Sequence, residues 1–136
     1  MSIWKKPISL SLLNETNANT AATHLGIEIT EVGDDFLRGR VPVDERTRQP
    51  FGILHGGVSV VLAETLGSIG AFYACPEGHR GVGLDINANH IRAASSGWVT
   101  GTARANEGQV SVIGKVSAIL ELGMGFNPDL SGRENC

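Results

Sequence analysis

The feature that most constrains the fold is an almost uninterrupted apolar run at residues 58–73. A helix drawn through this run carries apolar side chains on nearly every side, which is typical of a helix enclosed by a fold rather than one lying on its surface. It would span about 24 Å, which is short of a membrane span but long enough to cross a small sheet. We therefore predict one buried helix.

Short runs rich in Ile, Val, Thr and Leu predict antiparallel strands on both sides of this helix. The predicted strands are residues 26–32, 36–43, 82–91 and 98–103. The first two flank Gly33-Asp34-Asp35, the composition of a hairpin turn. Ser9 can cap a short surface helix over residues 10–13, because its hydroxyl can accept from an amide of the first turn. Residues 14–20 are too polar to extend that helix.

A helix that is apolar all round must be covered on every side. We therefore expect an α+β fold, in which a curved antiparallel sheet wraps around the helix and a second subunit completes the cover. The chain has 136 residues, and domains cluster at roughly 100 to 150 residues. A single domain over residues 1–136 is the prediction.

Composition and charge exclude several classes of function. The net charge of -3 gives little reason to expect nucleic acid or an anionic membrane as a partner. No apolar run near the N-terminus resembles a signal peptide, and none reaches the roughly 20 residues that span a bilayer, so we expect a cytoplasmic protein. Cys75 and Cys136 are interpreted as free thiols. Cys75 with His79 would supply at most half of a zinc site, so no metal site is predicted.

The segment Gln49-Pro-Phe-Gly-Ile-Leu-His55-Gly56-Gly57 leads directly into the predicted helix. It places two glycines in the first turn, where backbone amides have no intrahelical partner. These amides and the helix dipole could stabilise a carbonyl oxygen that becomes negative during acyl transfer. The alternative is that the glycines only allow tight packing of the helix on the sheet.

Glu64 is the one carboxylate inside the apolar run. An ionised carboxylate is costly to bury unless it is paired or has a chemical role, so Glu64 is a candidate catalytic residue. Ser68 lies four positions later on the same helix face, where its hydroxyl could bind a nucleophilic water or the carboxylate itself. The alternative is that one edge of the helix is wet and Glu64 is solvated there.

The spacing of these groups predicts how a site would be assembled. Glu64 lies eight positions after Gly56, which is about 12 Å along a helix, too far for both to reach one carbonyl carbon. If both are catalytic, they come from different subunits. The site would then lie at a two-fold interface and occur twice in a dimer.

Two segments carry a long and specific resemblance to a known family. They are residues 42–68, which include the run from Gln49 to Ser68, and Val82-Gly-Leu-Asp-Ile-Asn-Ala-Asn-His-Ile-Arg92. With these segments, residues 1–104 resemble the hot-dog-fold thioesterases of the phenylacetate-degradation type. The branch concerned hydrolyses aromatic acyl-CoA thioesters such as 1,4-dihydroxy-2-naphthoyl-CoA, or proofreads aryl-carrier-protein thioesters in siderophore synthesis.

The resemblance implies an acyl-CoA thioesterase that releases a free acid and CoA, with Glu64 as general base or nucleophile. The Gly56 amide, helped by Gln49, would polarise the thioester carbonyl. His55 would orient Gln49 and the turn, while Ser68 would position water or the acyl group. The residues expected to bind substrate or CoA are Gly57, Thr65, Gly83, Asn89, His90 and Arg92. CoA is part of the substrate, so no cofactor is expected, and the assembly would be a homodimer or homotetramer.

The resemblance stops after Arg104. Residues 105–136 lack the His-Leu-Gly-Arg turn and the Val-Trp strand expected of the family, although residues 106–122 could form a turn and a diverged last strand. A lost penultimate strand or a frameshifted end would explain the break. The tail, residues 123–136, is predicted to be disordered.

Two other functions stay open at this point. A hot-dog dehydratase would use a histidine and an acidic residue on the same scaffold, and a non-catalytic acyl-CoA-binding subunit would suit the altered C-terminus. The arrangement of Gly56, Gly57 and Glu64 fits hydrolysis better than dehydration. No serine occupies a nucleophile elbow, so a Ser-His-Asp mechanism finds no support.

Overall fold

The computed structural model describes residues 1–104 together with the backbone of two short strands beyond them. The helices are α1 (Leu10–Thr16), α2 (Ala21–His24) and α3 (Gly56–Ala74). The strands are β1 (Glu28–Val32), β2 (Phe36–Pro42), β3 (Asn87–His90), β4 (Trp98–Arg104), β5 (Val110–Ser111) and β6 (Ala118–Glu121). The predicted combination of one long helix with antiparallel strands is confirmed.

The larger sheet has the strand order β1-β2-β4-β5. The predicted hairpin is present: Val32 pairs with Leu37, and the Gly33 amide donates to the Phe36 carbonyl at 2.9 Å. β2 and β4 pair along their whole lengths. β3 pairs with β6 in a second sheet, so the described strands form two sheets where one was expected.

Helix α3 lies across β2 and β4. Its buried residues recur three or four positions apart and so share one face: Ser59, Leu62, Ala63, Leu66, Gly70 and Tyr73. Gly39 and Gly101 pair across β2 and β4, where a Cβ atom would come within 3.0 Å and 3.1 Å of Leu66 methyl carbons. Small residues at this pair therefore let the helix approach the sheet closely.

The opposite face of α3 is covered less completely by its own chain. Val60, Val61 and Ile69 are half-buried, while Ala71 and Phe72 are exposed. The helix is long and apolar enough to cross a membrane. Its packing on β2 and β4 makes it instead the core helix of this domain.

The N-terminal part of the chain contributes more to the fold than its sequence predicts. Helix α1 continues to Thr16, because the Asn14 side chain donates to the carbonyls of Leu10 and Ile29 and accepts from the Ile29 amide. Ser9 caps it as predicted, accepting from the Leu12 amide at 3.2 Å. The helix lies on the surface, as expected, and Leu13 is its one buried residue, at 1% exposure. The short helix α2 was not predicted.

The second half of the chain departs from the prediction in two ways. Only four residues of the strand expected over residues 82–91 pair as β3, while residues 81–86 have no regular structure. Two short strands follow β4 where one diverged last strand was expected, and β5 pairs with β4 over two residues; the hypothesis of a lost penultimate strand stays a prediction. The predicted disordered tail, residues 123–136, lies outside the described residues.

Candidate active site

The loop before α3 is held in place by its own backbone. The Leu54 amide donates to the Ala94 carbonyl at 2.8 Å, and the His55 amide donates to the Thr47 carbonyl at 2.8 Å. Thr47 is 1% exposed, and its hydroxyl donates to the Pro42 carbonyl at 2.6 Å. The loop therefore delivers His55 to the start of the helix in a fixed orientation.

His55 is the N-cap of α3. Its Nδ1 accepts from the Gly57 amide at 2.9 Å, and its carbonyl accepts from the Val58 amide at 2.9 Å. Among the hydrogen bonds of the described residues, none engages the Gly56 amide. Of the two glycine amides that the sequence offers, one is thus used by the N-cap, and the Gly56 amide hydrogen, at the positive end of the helix dipole, is the one available to an oxyanion.

Gln49 lies in the same loop, but its side chain is turned toward a local backbone group. Its Oε1 accepts from the Phe51 backbone amide. The Gln49 backbone amide donates to the Ile53 carbonyl at 2.8 Å. Within the described residues, His55 makes no hydrogen bond to Gln49, so His55 orients the helix start rather than the glutamine in the single chain.

Glu64 forms a second cluster with Ser68 and Gly83. The Ser68 hydroxyl donates to Glu64 Oε1 at 2.9 Å, which is the contact expected four residues apart on one helix face. A Cβ atom on Gly83 would lie 2.4 Å from the same oxygen, so the backbone of residues 81–86 passes directly over the carboxylate. Glu64 is half-buried in the single chain.

The remaining predicted residues are divided between these clusters and the surface. His90 lies against Gly56, with Nε2 at 3.1 Å from the Gly56 carbonyl oxygen. Thr65 is half-buried, whereas Asn89 and Arg92 are exposed and, within the described part of the chain, form no side-chain hydrogen bond or ion pair. The single chain therefore does not bring Asn89 or Arg92 to either cluster.

Sequence reasoning missed Ser59, which is 1% exposed. Its hydroxyl lies 2.7 Å from the Gly56 carbonyl oxygen and 3.0 Å from His90 Nε2. The available signal was a polar residue in the first turn of an otherwise apolar helix, three positions after Gly56. Its partner, His90, could not be deduced, because the contact depends on where β3 lies.

A pocket of about 420 Å³ opens beside the start of α3. Its lining residues are Arg46, Thr47, Arg48, His55, Gly57, Val58 and Val61. The Arg46 guanidinium, which bonds to Asp44, lowers the pKa of that carboxyl, and Asp44 in turn raises the pKa of Arg46. Glu64 does not line this pocket.

Among the residues that the structure describes, no three His, Cys, Asp or Glu side chains gather in a way that could hold a metal ion. Cys75 is a free thiol, as predicted. The groups that could take part in a reaction are the Glu64 carboxylate with its Ser68 hydroxyl partner and, separately, the unengaged Gly56 amide hydrogen.

Comparison with known proteins assigns this arrangement to a family. Residues 51–118 match the family described as Thioesterase superfamily. A protein of Cronobacter turicensis named proofreading thioesterase EntH is 50% identical over 102 residues, which are 75% of this chain and 74% of that protein. A solved thioesterase of Haemophilus influenzae superposes with a TM-score of 0.82 at 46% identity, covering 87% of this chain and 90% of that one. A variant of a Pseudomonas aeruginosa thioesterase gives a TM-score of 0.79 at 40% identity, with 88% and 94% covered.

Proposed function

Since the chain belongs to the thioesterase superfamily, and is thus a thioester hydrolase with the hot-dog fold, we propose that it hydrolyses acyl-CoA thioesters, with aromatic acyl groups such as 1,4-dihydroxy-2-naphthoyl preferred. One similar protein is named a proofreading thioesterase, so a carrier-protein thioester is the other substrate class to test. The proposed location is the cytoplasm.

The observation that carries the proposal is the setting of Glu64. Its carboxylate lies on an otherwise apolar helix, is oriented by Ser68 at 2.9 Å, and is covered by the backbone of Gly83. A carboxylate held in this way has a defined direction. This property suits a general base or a nucleophile.

We assign the reaction steps as follows. Water attacks the thioester carbonyl while Glu64 accepts its proton, or Glu64 attacks directly and water then hydrolyses the anhydride. In either route the carbonyl oxygen becomes negative and binds the Gly56 amide hydrogen, assisted by the side-chain amide of Gln49. The C–S bond breaks, CoA leaves as its thiolate and takes up a proton. No metal or redox cofactor is needed, because a carboxylate, water and amide donors account for every bond and proton.

Both groups can serve one carbonyl only if two subunits meet. Along a single helix, Glu64 and the Gly56 amide are about 12 Å apart. The half-buried side of α3 and the exposed apolar side chains Val82 and Leu84, which are 78% and 84% exposed in the single chain, supply surface for a second copy. We propose a homodimer in which each site takes Glu64 from one subunit and Gly56 from the other; two dimers could form a tetramer.

The same side chains support an apolar acyl group. Val82 and Leu84 flank Gly83 in sequence, so large apolar groups adjoin the residue that covers the carboxylate. The remaining substrate-binding roles proposed for Gly57, Thr65, Asn89, His90 and Arg92 rest on the family resemblance. Arg92, exposed and cationic, would suit a CoA phosphate.

Steady-state assays of the purified protein with benzoyl-CoA, naphthoyl-CoA and straight-chain acyl-CoA test the proposal. We expect the aromatic thioesters to give the highest kcat/KM, and Glu64→Ala to lower kcat by about 10² to 10⁴, the usual contribution of a positioned acid or base. Glu77→Gln, a change at an exposed carboxylate, is the control and should leave kcat unchanged. Equal rates for wild type and Glu64→Ala would refute the role of Glu64, and a carrier-protein thioester that outcompetes every CoA ester would refute the substrate.

A further inference from the structure

The two glycines at the start of α3 have more backbone freedom than any other residue type that could supply a catalytic amide. Glycine has access to most of φ/ψ space, so a Gly-Gly pair costs more to order than any other pair. The Gly56 amide can stabilise an oxyanion only if its direction is fixed before the reaction. The surroundings of the Gly56–Gly57 peptide show how that direction is held.

This peptide unit is held by hydrogen bonds at both its N–H and its carbonyl. Its N–H, carried by Gly57, donates to His55 Nδ1 at 2.9 Å. Its carbonyl, carried by Gly56, lies 2.7 Å from the Ser59 hydroxyl and 3.1 Å from His90 Nε2. Because a peptide unit is planar, fixing both ends fixes its plane. The Gly56 amide itself belongs to the preceding peptide unit, whose carbonyl on His55 accepts from the Val58 amide at 2.9 Å. With both peptide units anchored, the backbone angles of Gly56 between them are fixed as well.

The proton positions in this cluster follow from the contacts. The Gly56 carbonyl oxygen carries no hydrogen, so an unprotonated His90 Nε2 at 3.1 Å would set two lone pairs against each other. Nε2 must therefore carry a proton, which it donates toward the Ser59 oxygen at 3.0 Å and the carbonyl. The Ser59 hydroxyl is then left to donate to the Gly56 carbonyl, so that Ser59 Oγ, His90 Nε2 and the Gly56 carbonyl oxygen each have a complementary partner.

His90 also lies in van der Waals contact with the backbone it bonds. A Cβ atom on residue 56 would lie 3.1 Å from both Cε1 and Nε2 of the His90 ring. The ring therefore closes one side of Gly56 and limits the rotation that glycine would otherwise allow. His90 belongs to β3, so this contact also ties the second sheet to the start of the helix.

We propose that Ser59 and His90 are positioning residues, which hold the Gly56–Gly57 peptide and so fix the backbone of Gly56 between two anchored peptide units, with the Gly56 amide directed at the thioester carbonyl. The inference rests on the proposed role of the Gly56 amide. Ser59 is 1% exposed, so any effect of Ser59 on catalysis must pass through the two groups that it contacts, the Gly56 carbonyl and His90.

The kinetic test uses variants that remove or restore the donors. We expect Ser59→Ala and His90→Met each to lower kcat about tenfold, since a displaced donor is felt mainly in the transition state. For Ser59→Ala, KM should stay within about twofold of the wild-type value. His90→Gln, which retains an N–H donor, and Ser59→Thr, which retains the hydroxyl, should recover most of kcat. The double variant Ser59→Ala/His90→Met should lose less than the product of the single losses, because both act on one carbonyl.

A spectroscopic test is independent of turnover. With ¹⁵N-glycine labelling, the Gly57 amide resonance reports on hydrogen bonding to the Gly56 carbonyl of the same peptide. It should shift in Ser59→Ala and His90→Met and return toward the wild-type position in His90→Gln. Glu64→Ala is expected to lose activity with no shift of Gly57. An active Glu64→Ala would refute the role of Glu64, while the Gly57 resonance still tests the positioning of the Gly56–Gly57 peptide.

Three results would overturn the inference: an unshifted Gly57 resonance in Ser59→Ala and His90→Met, full kcat in Ser59→Ala, or a His90→Gln variant as slow as His90→Met. Thermal unfolding of each variant checks that the native fold is retained. Ser59→Ala removes a single oxygen, so it is the variant expected to remain closest to the wild-type structure.

Discussion

Gly83 matters to the site because it has no side chain. A methyl group at this position would lie 2.4 Å from Glu64 Oε1, well inside contact distance. Sequence patterns predict the helix face shared by Glu64 and Ser68, because four-residue spacing is local. The Gly83 contact joins residues 19 positions apart and depends on the irregular path of residues 81–86, so no local pattern predicts it.

Gly83→Ala should therefore displace the Glu64 carboxylate and lower kcat by about tenfold or more, since small misplacements of catalytic groups are costly. The control is Gly70→Ala, on the same helix as Glu64, where the added Cβ would meet only a Leu37 methyl group at 3.8 Å. Steady-state assays of both variants make the comparison. If Gly83→Ala keeps full kcat, the carboxylate does not work from the position seen here.

At the scale of elements, the N-terminal segment ties separate parts of the domain together. The Trp4 indole donates to the Gly33 carbonyl at 2.8 Å, which holds the hairpin turn. The Lys6 ammonium donates to the carbonyls of Phe72, Cys75 and His79 at the end of α3 and lies 4.2 Å from the Phe72 ring centroid. Carbonyls at a helix C-terminus lack intrahelical donors, and a cation there also complements the helix dipole.

We expect Lys6→Met to lower the free energy of unfolding by about 1 to 3 kcal/mol, because three carbonyls lose a charged donor. Lys5→Met is the matched control: Lys5 is exposed, so its substitution should change stability by less than about 0.5 kcal/mol. Urea titrations of both variants measure the difference. Equal midpoints would mean that water replaces the Lys6 ammonium without cost.

The elements also show where sequence reasoning succeeds and where it fails. The apolar run predicts α3 within two residues at its start, and the Gly33-Asp34-Asp35 turn predicts the hairpin, because both signals are local and repeat over several residues. The extension of α1 depends on Asn14 bonding to Ile29, a contact between separate elements. The polar side chain of Asn14 therefore predicts a loop when only the sequence is considered, although in the structure it stabilises a helix.

At the scale of the whole molecule, the proposed dimer makes a prediction that a monomeric site could not satisfy. Glu64→Ala and Gln49→Ala damage different halves of each site. Coexpressed, they should form mixed dimers with one intact site, in which Glu64 comes from one subunit and Gln49 from the other. With random pairing, activity should recover to about a quarter of the wild-type value, since half of the dimers are mixed and each has one working site of two.

Coexpression of Glu64→Ala with Glu64→Gln is the control and should recover nothing, because both damage the same half. Sedimentation or light scattering on the same samples reports the assembly. A strictly monomeric wild type, or no recovery in proven mixed dimers, would count against a shared site.

The eight-residue separation of Gly56 and Glu64 along one helix also bears on how related sequences can diverge. One inserted residue between them would turn every later side chain by about 100° and advance it by 1.5 Å, spoiling the donor and the carboxylate geometry in two places at once. Length changes in this stretch should therefore be purged by selection. Adaptation to new acyl groups is then expected from substitutions rather than insertions, at the exposed apolar side chains of the irregular segments, such as Phe51, Val82 and Leu84.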